Sequence, residues 1–161
     1  MASTTGKTTT RKTTTTGKST TTATTKSTTA RKTDELLIVT RNDYGTLARV
    51  TNPLNKNNIN IECFTAYEWG NEAAFRIVTD NNRKARDVLR SEGFNVQESP
   101  VAIWYTTNEP GRLVKAATAL ANAHINTFCS YSTMVPNSAS TAITFNTNDT
   151  NRAIEVLKGI R

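Results

Sequence analysis

The 161 residues carry a formal charge of +7, and that charge is not spread along the chain. Residues 1–33 hold seventeen Thr, seven Lys or Arg and no acidic residue, while residues 34–161 hold thirteen basic and thirteen acidic residues, so the overall pI is no argument for a basic folded surface. No apolar run approaches transmembrane length, and Cys63 and Cys129 are too far apart to form a metal or redox motif, so a reduced, cytoplasmic protein is expected.

Residues 1–33 contain no aromatic residue and, after Met1, no aliphatic one larger than Ala. Such a segment buries too little to offset the entropy of ordering, and it reads as a disordered basic tail. It lacks the apolar core of a secretory signal. Its charge offers at most a weak, salt-sensitive contact with nucleic acid or another polyanion.

"LLIVT" then reads as a strand, and the turn "NDYGTL" leads into a helix capped by Asn42 or Asp43, with Leu47, Val50 and Leu54 as its apolar stripe. Pro53 inside that helix removes a backbone bond and should kink it. "INIECFTAY" and "AAFRIVT" form a hairpin around "WGN", a second helix runs from near Asp80 to Gly93, and "FNVQE" closes the unit as a fourth strand. The pattern then starts again. "VAIWYT" is a strand, and "NEPGRL" leads into a helix with Leu113, Ala116, Ala117 and Leu120 on one side. "INTFCSYSTM" and "TAITFNT" flank a turn around "VPNSAS", and a last helix runs from Asp149 to Gly159.

Shifted by 66, "NDYGTLARVTNPLNKNNIN" lies on "NEPGRLVKAATALANAHIN" without a gap, and Cys63 falls on Cys129. At an offset of 68, Ala85, Val88 and Leu89 match Ala153, Val156 and Leu157. One unit has been duplicated. The expected fold is α+β: two ferredoxin-like βαββαβ units in tandem, with antiparallel sheets and helices on one face, over residues 34–99 and 100–161. The second unit has almost no room for a fourth strand, which leaves the edge at "AIWYT" open unless another strand covers it. Leu37 and Val39 make the helix-free face apolar too, so it should pack on a second sheet from the sister unit or another chain.

No constellation for catalysis stands out, and no cofactor or metal is implied. His124 sits alone in a turn where the first unit has Asn58. The cysteines read as small buried residues, and a redox pair requires the two units to face each other there. The repeated turn is different. Gly45 and Gly111 read as positions of positive φ or close ligand approach, and the helix behind each offers free N–H groups suited to a carboxylate. Asn60 and Asn126 open the next strands, and both can donate and accept hydrogen bonds. The bland alternative is that these asparagines only cap helices and end turns.

At these residues the unit resembles an ACT domain, whose pattern is a strand, roughly Asp-x-Pro-Gly-x-Leu, a helix, then Gly-Ile/Val-Asn-Ile. "NEPGRLVKAATALANAHINT" fits closely, with Glu109 in the acidic place. "NDYGTLARVTNPLNKNNINI" fits with Tyr44 where proline is usual. The resemblance covers residues 36–160 and looks like the stand-alone tandem ACT proteins, which lack a catalytic domain. It implies a non-catalytic sensor that binds a small amino acid between paired units, as a homodimer, and signals through oligomer or partner contacts. The ligand contacts it implies are Asn42, Asp43, Gly45, Thr46, Leu47, Asn60 and Ile61 in one unit. In the other they are Asn108, Glu109, Gly111, Arg112, Leu113 and Asn126. Two other readings stay open: a ligand-free ACT assembly module, and a nucleic-acid binder of the RRM topology using the basic tail. The third strands "AAFRIV" and "AITFNT" lack the aromatic series with which an RRM stacks bases.

Overall fold

The computed structural model describes Met1 and residues 28–134 and 138–160. The elements run β1 (Thr29–Arg41), α1 (Thr46–Lys56), β2 (Ile61–Trp69), β3 (Glu72–Thr79), α2 (Asn82–Ser91), β4 (Val96–Thr107), α3 (Arg112–Asn122), β5 (Thr127–Met134), β6 (Ser140–Thr147) and α4 (Thr150–Lys158). Residues 2–27 of the expected tail and 135–137 of the turn around "VPNSAS" lie outside the described residues.

The two units do not build separate sheets. Their strands form one antiparallel sheet in the order β2-β3-β1-β4-β6-β5. β1 and β4 are long because each serves both units. Leu36–Arg41 pair with Ile77–Glu72 of β3, while Thr29–Thr33 pair with Tyr105–Val101 of β4. Asp34 lies opposite Pro100, its own equivalent in the repeat, so the units are related by a pseudo-two-fold axis at that pair.

This arrangement corrects the boundary at residue 33. Residues 29–33 are strand, and they pair with Tyr105–Val101 along the edge expected to be open. The edge at "AIWYT" is therefore paired. With only one buried apolar residue, Ala30, this segment is held by its backbone ladder and a few polar contacts.

Strand alternation puts Ala30, Leu36 and Ile38 of β1 on one face with Val96, Ala102 and Trp104 of β4. Helices of both units cover that face. Leu36, Ile38, Phe75 and Ile77 pack with Val50, Leu54, Ala85 and Leu89 in the first unit, and Trp104, Ile143 and Phe145 with Ala116, Leu120, Ala153 and Leu157 in the second. The helix stripes are displaced from the expected ones. Leu47 and Leu113 are half exposed, and the inward positions are Thr46, Val50, Pro53 and Leu54 in α1 and Arg112, Ala116 and Leu120 in α3. α1 continues through Pro53 to Lys56.

Helix-free faces were expected to need a second sheet. Here the single sheet folds over itself. A flat six-stranded sheet holds its outer strands roughly 24 Å apart, yet β2 and β5 come into contact. The helix-free side is thus concave, lined by Cys63, Val78, Val101 and Ile103, with Tyr105, Tyr131 and Ala142 packed on them. Cys63 is buried and Cys129 half-buried, both as free thiols. His124 and Asn58 occupy matching exposed turns at φ 56° and 54°.

Candidate functional site

Each repeated turn begins where the first strand of its unit ends. Gly45 (φ 84°) and Gly111 (φ 87°) are the N-cap residues of α1 and α3, both left-handed, and neither helix has a side-chain cap. The expected capping by Asn42 or Asp43 is not what the chain does. A left-handed cap residue points its backbone in a direction that only glycine adopts without strain. The Thr46 and Arg112 N–H groups donate to the Asp43 and Glu109 carbonyls, and the N–H groups of the next two residues are left for another acceptor.

Around Gly45 the turn closes on itself. The Thr46 hydroxyl donates to the Arg41 carbonyl at 3.2 Å and accepts from the Asp43 N–H at 3.1 Å. Asp43 also pairs with Arg41 at 3.1 Å. The depression beside it is open and polar, lined by Arg41, Asn42, Asp43, Glu68, Asn71 and Glu72. Gly45, Thr46, Leu47, Asn60 and Ile61 do not line it.

Around Gly111 the position of Thr46 is taken by Arg112, which is buried. Its Nε donates to Thr106 Oγ1 at 2.7 Å and its Nη2 to Thr28 Oγ1 at 3.0 Å, and the guanidinium lies 5.3 Å from the centre of the Trp104 ring. A planar cation stacked on an aromatic face and held through Nε and Nη2 is rigid. Beside it opens a cleft of about 180 Å³ between the head of α3 and strands β5 and β6. The turn and helix contribute Asn108, Glu109, Arg112 and Leu113, the strands Ser130, Ser132, Thr141 and Ile143. Charges of both signs, hydroxyls, an amide and two aliphatic side chains surround a space smaller than the roughly 300 Å³ at which drug-sized sites begin.

The asparagines at the strand starts lie elsewhere. Asn126 N–H donates to Asn148 Oδ1 at 2.9 Å and its carbonyl accepts from Asn148 N–H at 3.1 Å. Asn60 is tied to Asp80 in the same way. Asn42 and Asn108 sit at the other ends of β3 and β6, bonded to Asn71 and Ala139. Eight residues of strand, roughly 25 Å, separate the two groups in each unit. One unit therefore brings Asn108, Glu109, Arg112 and Leu113 together without Asn126. The serines and Thr141 escaped the sequence reading because their only signal is a polar residue on the helix-side face of an edge hairpin.

A family model described as an ACT domain pair matches residues 32–160. Among solved structures, protein BT0572 from Bacteroides thetaiotaomicron superposes with a TM-score of 0.73 at 26% identity, over 80% of this chain and 88% of that one. The regulatory subunit of aspartate kinase from Thermus thermophilus gives 0.57 at 13% identity, over 81% and 95%. The aspartate kinase of Clostridium acetobutylicum gives 0.58 at 13%, over 83% of this chain and 34% of that enzyme. No curated protein sequence matches significantly.

Proposed function

Because the chain belongs to the ACT-domain family, as an ACT domain pair, a regulatory and non-catalytic module, we propose that it senses a small amino acid in the cleft at the head of α3. Ligand state is then passed on through oligomer or partner contacts. The observation that carries this reading is the presence of both Glu109 and Arg112 on the walls of one small cleft beside a helix start without a side-chain cap. A zwitterion needs an acceptor for its ammonium group and donors for its carboxylate, and both are present within one turn of chain. Ser130, Ser132 and Thr141 face the remaining space and favour a short polar side chain over a large apolar one.

The family pattern places ligands between paired units. Asn126 reaches a ligand held by Asn108 only if a second copy supplies it, which fits a homodimer. Isothermal titration calorimetry of the full chain with each of the common amino acids tests the reading. Saturable binding of a small polar amino acid is expected. No heat from any of them at millimolar concentration overturns it and leaves a ligand-free assembly module. Loss of binding in Asn126→Ala would locate the site between two copies.

The segment 29–33 belongs to the fold, so such work requires a chain that retains it. No helix among the described residues is long and apolar enough to cross a membrane.

A further inference from the structure

Glu35 is fully buried on the concave, helix-free side of the sheet. Its carboxylate is held by four strands. It pairs with Arg76 of β3, accepts from Asn146 Nδ2 of β6 at 2.8 Å, and accepts from Tyr131 OH of β5 at 2.9 Å. Ser99 of β4 approaches at 3.4 Å and receives a second bond from Asn146 at 3.2 Å. Glu35 and Arg76 belong to the first unit, Tyr131 and Asn146 to the second.

The fold does not require this polar set. The repeat places Val101 at the position equivalent to Glu35, Val78 at that of Asn146, Thr144 at that of Arg76 and Thr65 at that of Tyr131. Val101 and Val78 are fully buried in the same concave core. Valines thus stand where this half has the carboxylate and its amide partner. The carboxylate takes three hydrogen bonds besides its ion pair, while Arg76 Nε has no partner among the described residues. A buried ion pair is no better for stability than apolar packing, but breaking it by removing one partner is costly. This one lies where β2 and β5 close the sheet, with Cys63 of β2 packed into the same cluster as Tyr131.

We propose that Glu35 is an inter-unit latch through which the first unit holds β5, and with it one wall of the cleft at α3, in position. Ser130, Tyr131 and Ser132 all line that cleft, so releasing Tyr131 from Glu35 lets the wall move. Glu35 is a positioning residue and touches no ligand. Only the consequence for the cleft rests on the amino-acid reading. The latch itself is a statement about the seam between β2 and β5, and it is tested without any ligand.

Cys63, buried in that seam, is an internal reporter. The full chain is exposed to excess iodoacetamide over a series of low urea concentrations, and Cys63 modification is followed by peptide mass spectrometry. Global unfolding is measured on the same samples. In the wild-type chain, modification of Cys63 follows global unfolding. In Glu35→Gln, and to a lesser extent in Tyr131→Phe, modification becomes independent of urea and at least about tenfold faster than global unfolding allows, because the seam opens locally. A merely structural role lowers global stability and leaves the two rates coupled. If Cys63 modification in both variants still tracks global unfolding, the latch is refuted.

Discussion

Thr46 and Arg112 stand at the same place in the two units, and they show how one duplicated turn came to serve two ends. Thr46 folds its hydroxyl back onto Asp43 and Arg41 and finishes its own turn. Arg112 instead reaches out to Thr106, Thr28 and the face of Trp104, whose equivalent in the first unit is Ile38. Where the side chain is short, the surface outside is an open polar depression. Where it is long and stacked, a cleft forms beside it. Both turns share a backbone with a left-handed glycine, and they differ at the next residue and in the surface beside it.

The largest difference between the units concerns what covers their strands. The second unit borrows Thr29–Thr33, so deleting residues 1–33 should lower the melting temperature by on the order of 10 °C. Deleting residues 1–27 should leave it within roughly 2 °C. Differential scanning calorimetry of the two truncations checks this.

Next in size, Arg112→Ala removes two hydrogen bonds and the stack on Trp104 at once. A loss of about 2–3 kcal/mol in urea unfolding is expected. Thr46→Ala, which breaks a local turn bond, should cost about 1 kcal/mol. Equal losses would mean that Arg112 is not anchored as described.

Gly45→Ala and Gly111→Ala should cost about 1–2 kcal/mol each and by similar amounts. No atom lies within 4 Å of an added Cβ at either site, so backbone strain alone is at work. A much larger effect at one of them would show that the turns differ in backbone and not only in side chains.

The smallest expected effect separates Tyr131 from its equivalent Thr65. Burial and the neighbouring Glu35 charge push the Tyr131 phenol well above its ordinary range. A raised folded-state value means that its contribution is intact below about pH 10, the unfolded value, and is lost as pH rises beyond it. Stability should fall above pH 10 by at most about 1.4 kcal/mol per pH unit from this group. That part of the slope should vanish in Tyr131→Phe, as read by urea midpoints between pH 9 and 11.

Much of this architecture could be read from the residues. The 66-residue repeat, the order of elements in each unit and the positive φ of both glycines follow from spacing and from residue chemistry. What escaped has identifiable causes. Thr29–Thr33 have no apolar residue beyond Ala30, and a strand held by its ladder to β4 leaves no hydrophobic pattern to find. The stripes through Leu47 and Leu113 misled because a buried Thr46 and a stacked Arg112 look polar in sequence. Glu35 gives no signal in the sequence, because Arg76, Tyr131 and Asn146 come around it only through the curl of the sheet. The clamp of turn and strand-start asparagines cannot be judged from one unit, since the length of β3 or β6 separates its halves.

Comparing the two turns tests most sharply whether ligand binds at the head of α3. Thermal shifts of the full chain with the twenty amino acids at millimolar concentration are measured for wild type, Asn42→Ala and Asn108→Ala. A ligand at about a hundred times its Kd adds about 2.7 kcal/mol, a shift of several degrees. A small polar amino acid should raise the melting temperature of wild type and of Asn42→Ala, and fail to do so for Asn108→Ala. A shift that survives in Asn108→Ala and disappears in Asn42→Ala would place the site at the first unit and rule out the cleft at α3.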